Sequence, residues 1–324
     1  MTAVDHYQSD DQFVDQHLQG TSRTFALAIP LLASERRLQI GVSYLLFRVA
    51  DSIEDAPEGD SAVKKRLLIT LQNCLSEGCV RQEEGVPQEE GVRQSAECRF
   101  AGPNSGWCEG LWPAQSPTQQ LLRDFPKLWS IFAGLPPLVS RAIGKSLSQT
   151  ITGMIHFLDA SRDLPTQIQI QTVSELRLYC YAVAGIVGEL LTEIFAFHHP
   201  AAITCHSEMR ALSVGFGEFL QLINILKDSG RDATSGRVFI PLGASRESIC
   251  ELAMAGRDDA LTYIRLLEKH DFPADIIHYC RFLYLLADGS LRKLREGGAG
   301  SKLTRDEVMQ IFHEVKSESF VQPV

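Results

Sequence analysis

Residues 44–55, YLLFRVADSIED, and residues 219–232, FLQLINILKDSGRD, decide how this chain can fold. Both segments are mostly apolar, and their few polar residues recur every three or four positions. In the first segment Arg48, Asp51 and Asp55 share one stripe, because positions i, i+3 and i+7 lie on the same face of an α-helix. Both segments therefore predict largely buried helices that carry a polar stripe.

The polar stripe of the second segment consists of Gln221, Asn224 and Asp228. Buried amides and carboxylates need hydrogen-bond partners or ions, so this stripe faces either the polar side chains of another helix or a ligand. Asp232 follows Gly230, and whether it continues the stripe depends on where the helix ends. A structural network between helices is the alternative to a ligand site.

Two pairs of aspartates, each spaced four residues apart, point to a metal. Asp51 and Asp55 form one pair, and Asp228 and Asp232 form the other. Carboxylates at this spacing repel each other by a few tenths of a kcal/mol, whereas a Mg²⁺ ion between them is favourable and also takes waters and substrate phosphates. We expect the two pairs to face each other across one cavity and to hold a metal-bound diphosphate. For the first pair, the alternative is an Arg48–Asp51 ion pair with an exposed Asp55.

Helical periodicity dominates the rest of the chain and predicts an all-α fold. The expected helices lie near 22–32, 34–55, 59–76, 119–133, 137–160, 172–198, 206–229, 245–269, 273–296 and 303–317. A short strand-like stretch occurs at 167–171. The architecture expected from this pattern is a single-domain helical bundle, spanning residues 1–324, around a central cavity.

The stretch 79–118 differs in composition from the rest, being rich in Gly, Pro, Gln, Ser and Glu and containing an approximate hexamer repeat. It offers too little apolar surface to offset the entropy lost on ordering, so we expect a disordered surface insertion with no role in the chemistry. Trp107 and Trp112 suggest an alternative, since exposed tryptophans anchor partners or membrane interfaces.

The overall composition excludes some classes of function. The chain has 324 residues, 44% hydrophobic and 22% charged, with a net charge of −9, which argues against a nucleic-acid binder. Eight cysteines without metal-ligand spacing, and no secretory signal at the start, predict reduced thiols in a cytoplasmic protein. No apolar run approaches the length that spans a bilayer, roughly 20 residues.

Two further stretches fit a pocket for an anion beside an apolar ligand. Ser22 and Arg23 lie at an expected helix start, where free backbone N–H groups attract phosphate, although an ordinary helix cap explains them equally well. Gly185 and Gly188 share one face of an apolar helix, where each glycine costs about 1 kcal/mol relative to Ala. Either a neighbouring helix or a long apolar ligand packs against that face.

Four segments together resemble the squalene/phytoene synthase family of head-to-head isoprenyl diphosphate synthases. They are TSRTFALAIPLL (21–32), YLLFRVADSIED (44–55), YCYAVAGIVGELLTEIF (179–195) and GEFLQLINILKDSGRDATSGRVFIP (217–241). The resemblance implies an isoprenoid synthase fold and assigns roles by motif. Metal would be bound by Asp51, Asp55, Asp228 and Asp232; substrate by Ser22, Arg23, Arg48, Gln221, Asn224 and Arg237; and Tyr179 and Arg48 would be catalytic.

The function implied by the resemblance is a Mg²⁺-dependent condensation of two farnesyl diphosphates through presqualene diphosphate, followed by reduction to squalene with NADPH. Phytoene or dehydrosqualene synthesis without a reductant is the related alternative, and a non-catalytic scaffold on the same fold is an alternative of another class. The resemblance also implies a monomer or homodimer in the cytoplasm that contacts the inner face of the membrane to release its product. The chain departs from the family at Arg231, where an acidic residue is usual.

Overall fold

The computed structural model describes residues 3–57, 60–83, 107–160, 168–297 and 300–317. Within these ranges the structure is almost entirely helical, so the prediction of an all-α fold is confirmed. The chain forms two compact units, the first comprising residues 1–29 and 34–155 and the second residues 30–33 and 156–324.

The first unit is built around a buried central helix that carries the first aspartate pair. Its helices are α1 (Ala3–Thr21), α2 (Phe25–Ala28), α3 (Ser34–Glu54), α4 (Ser61–Glu83), α5 (Pro117–Arg123), α6 (Phe125–Ala133) and most of α7 (Pro137–Ala160). Helix α1 packs against α3 at Gly41, where a Cβ atom would lie only 2.4 Å from Val14 Cγ1. The glycine therefore lets the two helices approach closely.

The second unit is built around the long helix that carries the second aspartate pair. Its helices are α8 (Val173–Cys180), α9 (Ile186–Phe197), α10 (His206–Thr234), α11 (Arg246–Lys269), α12 (Ala274–Gly297) and α13 (Arg305–Lys316). Two short parallel strands, β1 (Ile168–Gln169) and β2 (Arg237–Val238), pair with each other beside them. Several helices start at side-chain caps; the Thr304 hydroxyl and the Glu307 carboxylate form a capping box at α13.

Helices α8 and α9 are joined by a π-helical turn, Tyr181–Gly185, and both pack against α10. Cβ atoms would lie 2.2 Å from the Ser213 carbonyl oxygen at Gly188 and 2.3 Å from the Ala184 carbonyl oxygen at Gly217. Real side chains cannot occupy such positions unless the helices separate. Of the two explanations for Gly185 and Gly188, close packing of a neighbouring helix is therefore the one that the structure supports.

Several helix boundaries differ from the sequence prediction for identifiable reasons. The expected helix 22–32 contains only the four-residue α2 followed by a 3₁₀ turn at Ile29–Leu31, because Pro30 interrupts the helical hydrogen bonds. The expected helix 119–133 divides at Asp124, which precedes Phe125 and Pro126 at the start of α6. Helix α10 continues through Gly230 to Thr234, so Asp232 lies on the same helix as Asp228.

The expectation of disorder throughout 79–118 is wrong at both ends of that stretch. Helix α4 extends to Glu83, and residues 107–118 are ordered, whereas 84–106 lie outside the described residues. Cys108 and Leu111 are buried, and Trp112 Nε1 donates a 2.8 Å hydrogen bond to the Ser52 carbonyl oxygen of α3. The average composition of residues 79–118 did not predict this burial, because the apolar residues are concentrated near one end of the stretch.

Two expectations about the cysteines and about apolar length are also corrected. Cys74 is disulfide-bonded, whereas the buried cysteines 108, 180, 205, 250 and 280 are free thiols. Among the described residues, the helical stretch Val173–Phe197 is long and apolar enough by composition to cross a membrane. The face of this stretch that carries Gly185 and Gly188 packs against α10.

Candidate active site

The first aspartate pair lies at the C-terminal end of α3. Asp51 is in the last turn and Asp55 follows directly after the helix, with the Asp55 N–H donating to the Asp51 carbonyl oxygen at 2.8 Å. Both side chains are partly buried. A helix C-terminus carries the negative end of the helix dipole, so carboxylates in this position favour nearby positive charge.

The pKa of Asp51 reflects how unfavourable its charged form is at this position. Burial raises its pKa from the usual 3.8 to about 7; the Arg48 guanidinium opposes the shift, and repulsion from Asp55 adds to it. A carboxyl group that is this difficult to ionise gains more than a solvated one from a bound cation.

Arg48 lies one turn before Asp51 and presents an unsatisfied donor. Its Nε atom is buried and has no hydrogen-bond partner among the described residues. An unpaired guanidinium N–H inside a protein is costly, and an anion is the partner that suits it.

Tyr44 extends the same stripe by a further turn toward the start of α3. Burial raises its pKa, while hydrogen bonds from Ser22 and Thr21 and the charge of Arg48 lower it. Ser22 also caps the first turn of α2, accepting a 2.9 Å hydrogen bond from the Phe25 N–H. Arg23 is exposed. Of the two residues expected at this helix start, Ser22 therefore belongs to the network around Arg48.

The second aspartate pair lies near the end of α10, and each member has a cationic partner. Asp228 Oδ1 accepts from Lys302 Nζ at 2.9 Å, and Asp228 Oδ2 lies 3.9 Å from Arg231 Nη2. Asp232 Oδ1 accepts from Arg237 Nη2 at 2.9 Å. Burial raises the pKa of Asp232, although the charge of Arg237 opposes the shift. Arg231, the departure from the family pattern, is exposed and contributes the longer of the two contacts to Asp228.

The other two residues of the α10 stripe differ in their exposure. Gln221 is partly buried, whereas Asn224 is exposed and its Oδ1 accepts from Lys227 Nζ at 2.9 Å. Burial lowers the pKa of Lys227, with the charge of Asp228 opposing the shift. The sequence therefore predicted the polar stripe, but its middle residue lies toward solvent.

Tyr179 is buried in a cluster of aromatic rings within the second unit. Its ring centroid lies 4.9 Å from that of Phe239 and 5.2 Å from that of Phe157. Phe239 directly follows β2, whose first residue is Arg237. Strand β2 therefore begins with Arg237, which pairs with Asp232, and is followed directly by Phe239, which contacts Tyr179.

The carboxylate oxygens of the two pairs are of the kind that Mg²⁺ accepts, but neither pair is a complete site and the second is engaged by Lys302 and Arg237. No group of three or more His, Cys, Asp or Glu side chains suited to a metal occurs within the described ranges. Each aspartate pair would therefore supply only part of a Mg²⁺ ligand set, with water or phosphate oxygens as further ligands. That residues 51 and 55 face residues 228 and 232 stays a prediction.

Sequence reasoning overlooked two members of this arrangement. Tyr44 had a detectable signal, because it lies four residues before Arg48 on the same stripe. Lys302 had none, since it is 74 residues from Asp228 and only the tertiary fold brings the two together.

Comparisons with known proteins identify the family. The sequence profile of the squalene/phytoene synthase family matches residues 18–265. Squalene synthase ERG9 of Candida albicans is 27% identical over 222 residues, which are 68% of this chain and 43% of that protein, so the chain spans less than half of this relative.

Two solved structures share the fold. The structure of TcSQS with the ligand BPH1237 has a TM-score of 0.69 at 20% identity, covering 95% of this chain and 86% of that one. A dehydrosqualene synthase in complex with a ligand has a TM-score of 0.60 at 20% identity, covering 98% and 99%.

Proposed function

Because the chain belongs to the squalene/phytoene synthase family, we propose that it joins two molecules of farnesyl diphosphate head to head in a Mg²⁺-dependent reaction. The product would be squalene, formed through presqualene diphosphate and reduction with NADPH. The reduction step is supported by the family resemblance alone.

The observation that carries the proposal is that one face of α3 presents both a group that favours a cation and a group that favours an anion. Burial and repulsion from Asp55 oppose the ionisation of Asp51, so a cation there is favourable, and Arg48 Nε is a buried donor that favours an anion. A magnesium diphosphate satisfies both, since Mg²⁺ prefers carboxylate and phosphate oxygens and guanidinium groups prefer phosphate. Neither a bare metal nor a neutral ligand would do so.

Each residue would then have a distinct task. Arg48, with Ser22 and Tyr44 beside it, would donate to the diphosphate and hold it as the C–O bond breaks. When bound, Mg²⁺ would supply charge stabilisation for the departing diphosphate. Arg237 and Lys302 would neutralise negative charge on the α10 side.

The aromatic cluster suits the other product of C–O cleavage, an allylic carbocation. The faces of the Tyr179, Phe239 and Phe157 rings are negative and attract cations, and the apolar bulk of the rings excludes water that would quench the cation. This environment supports the proposed role of Tyr179 in guiding the carbocation.

Product identification tests the proposal. The purified protein would be incubated with farnesyl diphosphate and Mg²⁺, with and without NADPH, and its products analysed by mass spectrometry. We expect squalene only with NADPH. Dehydrosqualene irrespective of NADPH, or a C40 product from geranylgeranyl diphosphate, would instead favour the phytoene-type alternative that the family also contains.

Release of pyrophosphate separates an enzyme from a scaffold protein. We expect Asp51→Asn and Asp228→Asn to abolish it while the helical circular-dichroism signal remains. Asp258→Asn is the matched control, because Asp258 has a side chain that is 76% exposed and pairs only weakly with Arg257. Activity that survived both of the first two substitutions would contradict the metal assignment.

The location of the protein stays a prediction. We propose a cytoplasmic monomer or homodimer that contacts the membrane peripherally, which vesicle sedimentation and analytical ultracentrifugation would check.

A further inference from the structure

The end of α3 is held by side chains that come from outside the helix. The last four carbonyl groups of an α-helix have no partner within it. In α3 the Asp51 carbonyl accepts from the Asp55 N–H at 2.8 Å, and the Ile53 carbonyl accepts from the Ala56 N–H at 3.4 Å. Two carbonyls remain, at Ser52 and Glu54.

Both remaining carbonyls are satisfied by distant side chains. Trp112 Nε1 donates to the Ser52 carbonyl oxygen at 2.8 Å, and the buried Lys64 Nζ donates to the Glu54 carbonyl oxygen at 2.9 Å. The lysine also brings positive charge to the negative end of the helix dipole. Every carbonyl in the turn that carries Asp51 therefore has a donor.

We propose that Trp112 is a positioning residue for the metal site, acting through the Ser52 carbonyl to hold the last turn of α3 in the form that presents Asp51 and Asp55. This inference rests on the proposed function, and it assigns a task to a stretch that sequence composition marked as having none. Trp112 lies 60 positions from Ser52 in the chain.

The physical reason is that the last turn of α3 opens easily. Helix ends fray most easily, and here two like charges lie at the end where negative charge is unfavourable. If only a fraction of molecules keep the turn formed, the apparent Kd for the metal rises in inverse proportion to that fraction. A donor that keeps the turn formed therefore strengthens metal binding without touching the metal.

The test compares Trp112, whose Nε1 donates a hydrogen bond, with a tryptophan whose Nε1 has no partner among the described residues. Trp112→Phe keeps an aromatic ring but removes the Nε1–H donor together with part of the indole. Trp129→Phe is the matched control, because Trp129 is buried in α6 and its Nε1 atom has no hydrogen-bond partner among the described residues. Both variants lose the same atoms, so general effects of the substitution cancel.

Two measurements are made on the full-length protein. Amide hydrogen exchange at residues 52–56 reports opening of the turn without any metal, and calorimetric titration with MgCl₂ gives the Kd. A hydrogen bond of typical net strength corresponds to about a fivefold change. We expect Trp112→Phe to speed exchange and to raise the Kd by up to about fivefold, and Trp129→Phe to change neither.

Faster exchange in Trp112→Phe with an unchanged Kd would show a purely structural cap and overturn the proposal. Unchanged exchange would show that the hydrogen bond does not hold the turn, which also overturns it. If the wild-type protein itself bound no Mg²⁺, the proposed function would fail together with this inference. Wild-type binding with no response in Trp112→Phe would refute the inference alone.

Discussion

Replacing Asp51 with Asn should make the metal-free protein more stable while it abolishes the reaction. Burial raises the pKa of Asp51 from 3.8 to about 7, so the folded protein holds a proton there that the unfolded chain releases. Because the folded-state pKa is the higher one, metal-free stability falls as the pH rises from about 4 to about 7. Asn carries no charge at any pH and avoids this loss.

The magnitude follows from the size of the shift. A pKa difference of this size corresponds to up to about 4 kcal/mol once the pH exceeds the folded-state pKa. We therefore expect Asp51→Asn to gain roughly 1–4 kcal/mol over the wild type at about pH 8 and almost nothing at about pH 4. In a protein of this length the larger value corresponds to an increase in Tm of about 5 °C.

Thermal unfolding followed by circular dichroism, in buffers containing a chelator, measures this difference at each pH. Asp258→Asn, on an exposed carboxylate, is the control and should leave Tm nearly unchanged at every pH. Two results would refute the argument that ionisation of Asp51 destabilises the metal-free protein. One is a lower Tm for Asp51→Asn than for the wild type at high pH, and the other is an increase in Tm of equal size at both pH values.

The remaining predictions concern helix packing and the second aspartate pair. Gly188→Ala would place a Cβ atom 2.2 Å from the Ser213 carbonyl oxygen, so we expect a loss of about 2–3 kcal/mol in urea unfolding. Gly230→Ala, in the same helix as Ser213 but with nothing within 4 Å of the new Cβ, should instead be neutral or stabilising by up to about 1 kcal/mol, and equal effects of the two would contradict the packing argument. Lys302→Ala removes the cation 2.9 Å from Asp228, so substrate-free Mg²⁺ titrations should show a lower Kd, whereas Lys302→Arg should behave like the wild type. A higher Kd in Lys302→Ala would mean that the lysine supports the metal rather than competing with it.

Periodicity predicted the features that arise within single helices. The stripe of Arg48, Asp51 and Asp55 could be identified because helical geometry alone places these residues on one face. The burial of α3 was predicted from the apolar residues on either side of this stripe. Helix α1 was missed because few of its positions are apolar; Val14 and Leu18, one turn apart, are the buried apolar residues in the part of α1 whose burial is described.

Contacts between distant parts of the chain could not be predicted from local sequence patterns. Trp112 meets Ser52 across 60 positions and Lys302 meets Asp228 across 74, and no spacing rule predicts either pair. The end of α10 was ambiguous for a different reason. Gly230 lowers helix propensity by about 1 kcal/mol, but the ion pair of Asp232 with Arg237 stabilises the turn that follows it.

The π-helical turn at Tyr181–Gly185 has a consequence for how this chain tolerates change in length. A π turn contains roughly one residue more than an α turn while the helix axis continues. Deleting one residue there should relax the turn to α-helical form and leave α8 and α9 presenting the same surfaces as before. A deletion a few positions later, within α9, would instead rotate the subsequent residues by about 100° and turn the surface that they present to α10 away from it. We therefore expect the π turn to be a place where one residue can be removed without disturbing the helices on either side.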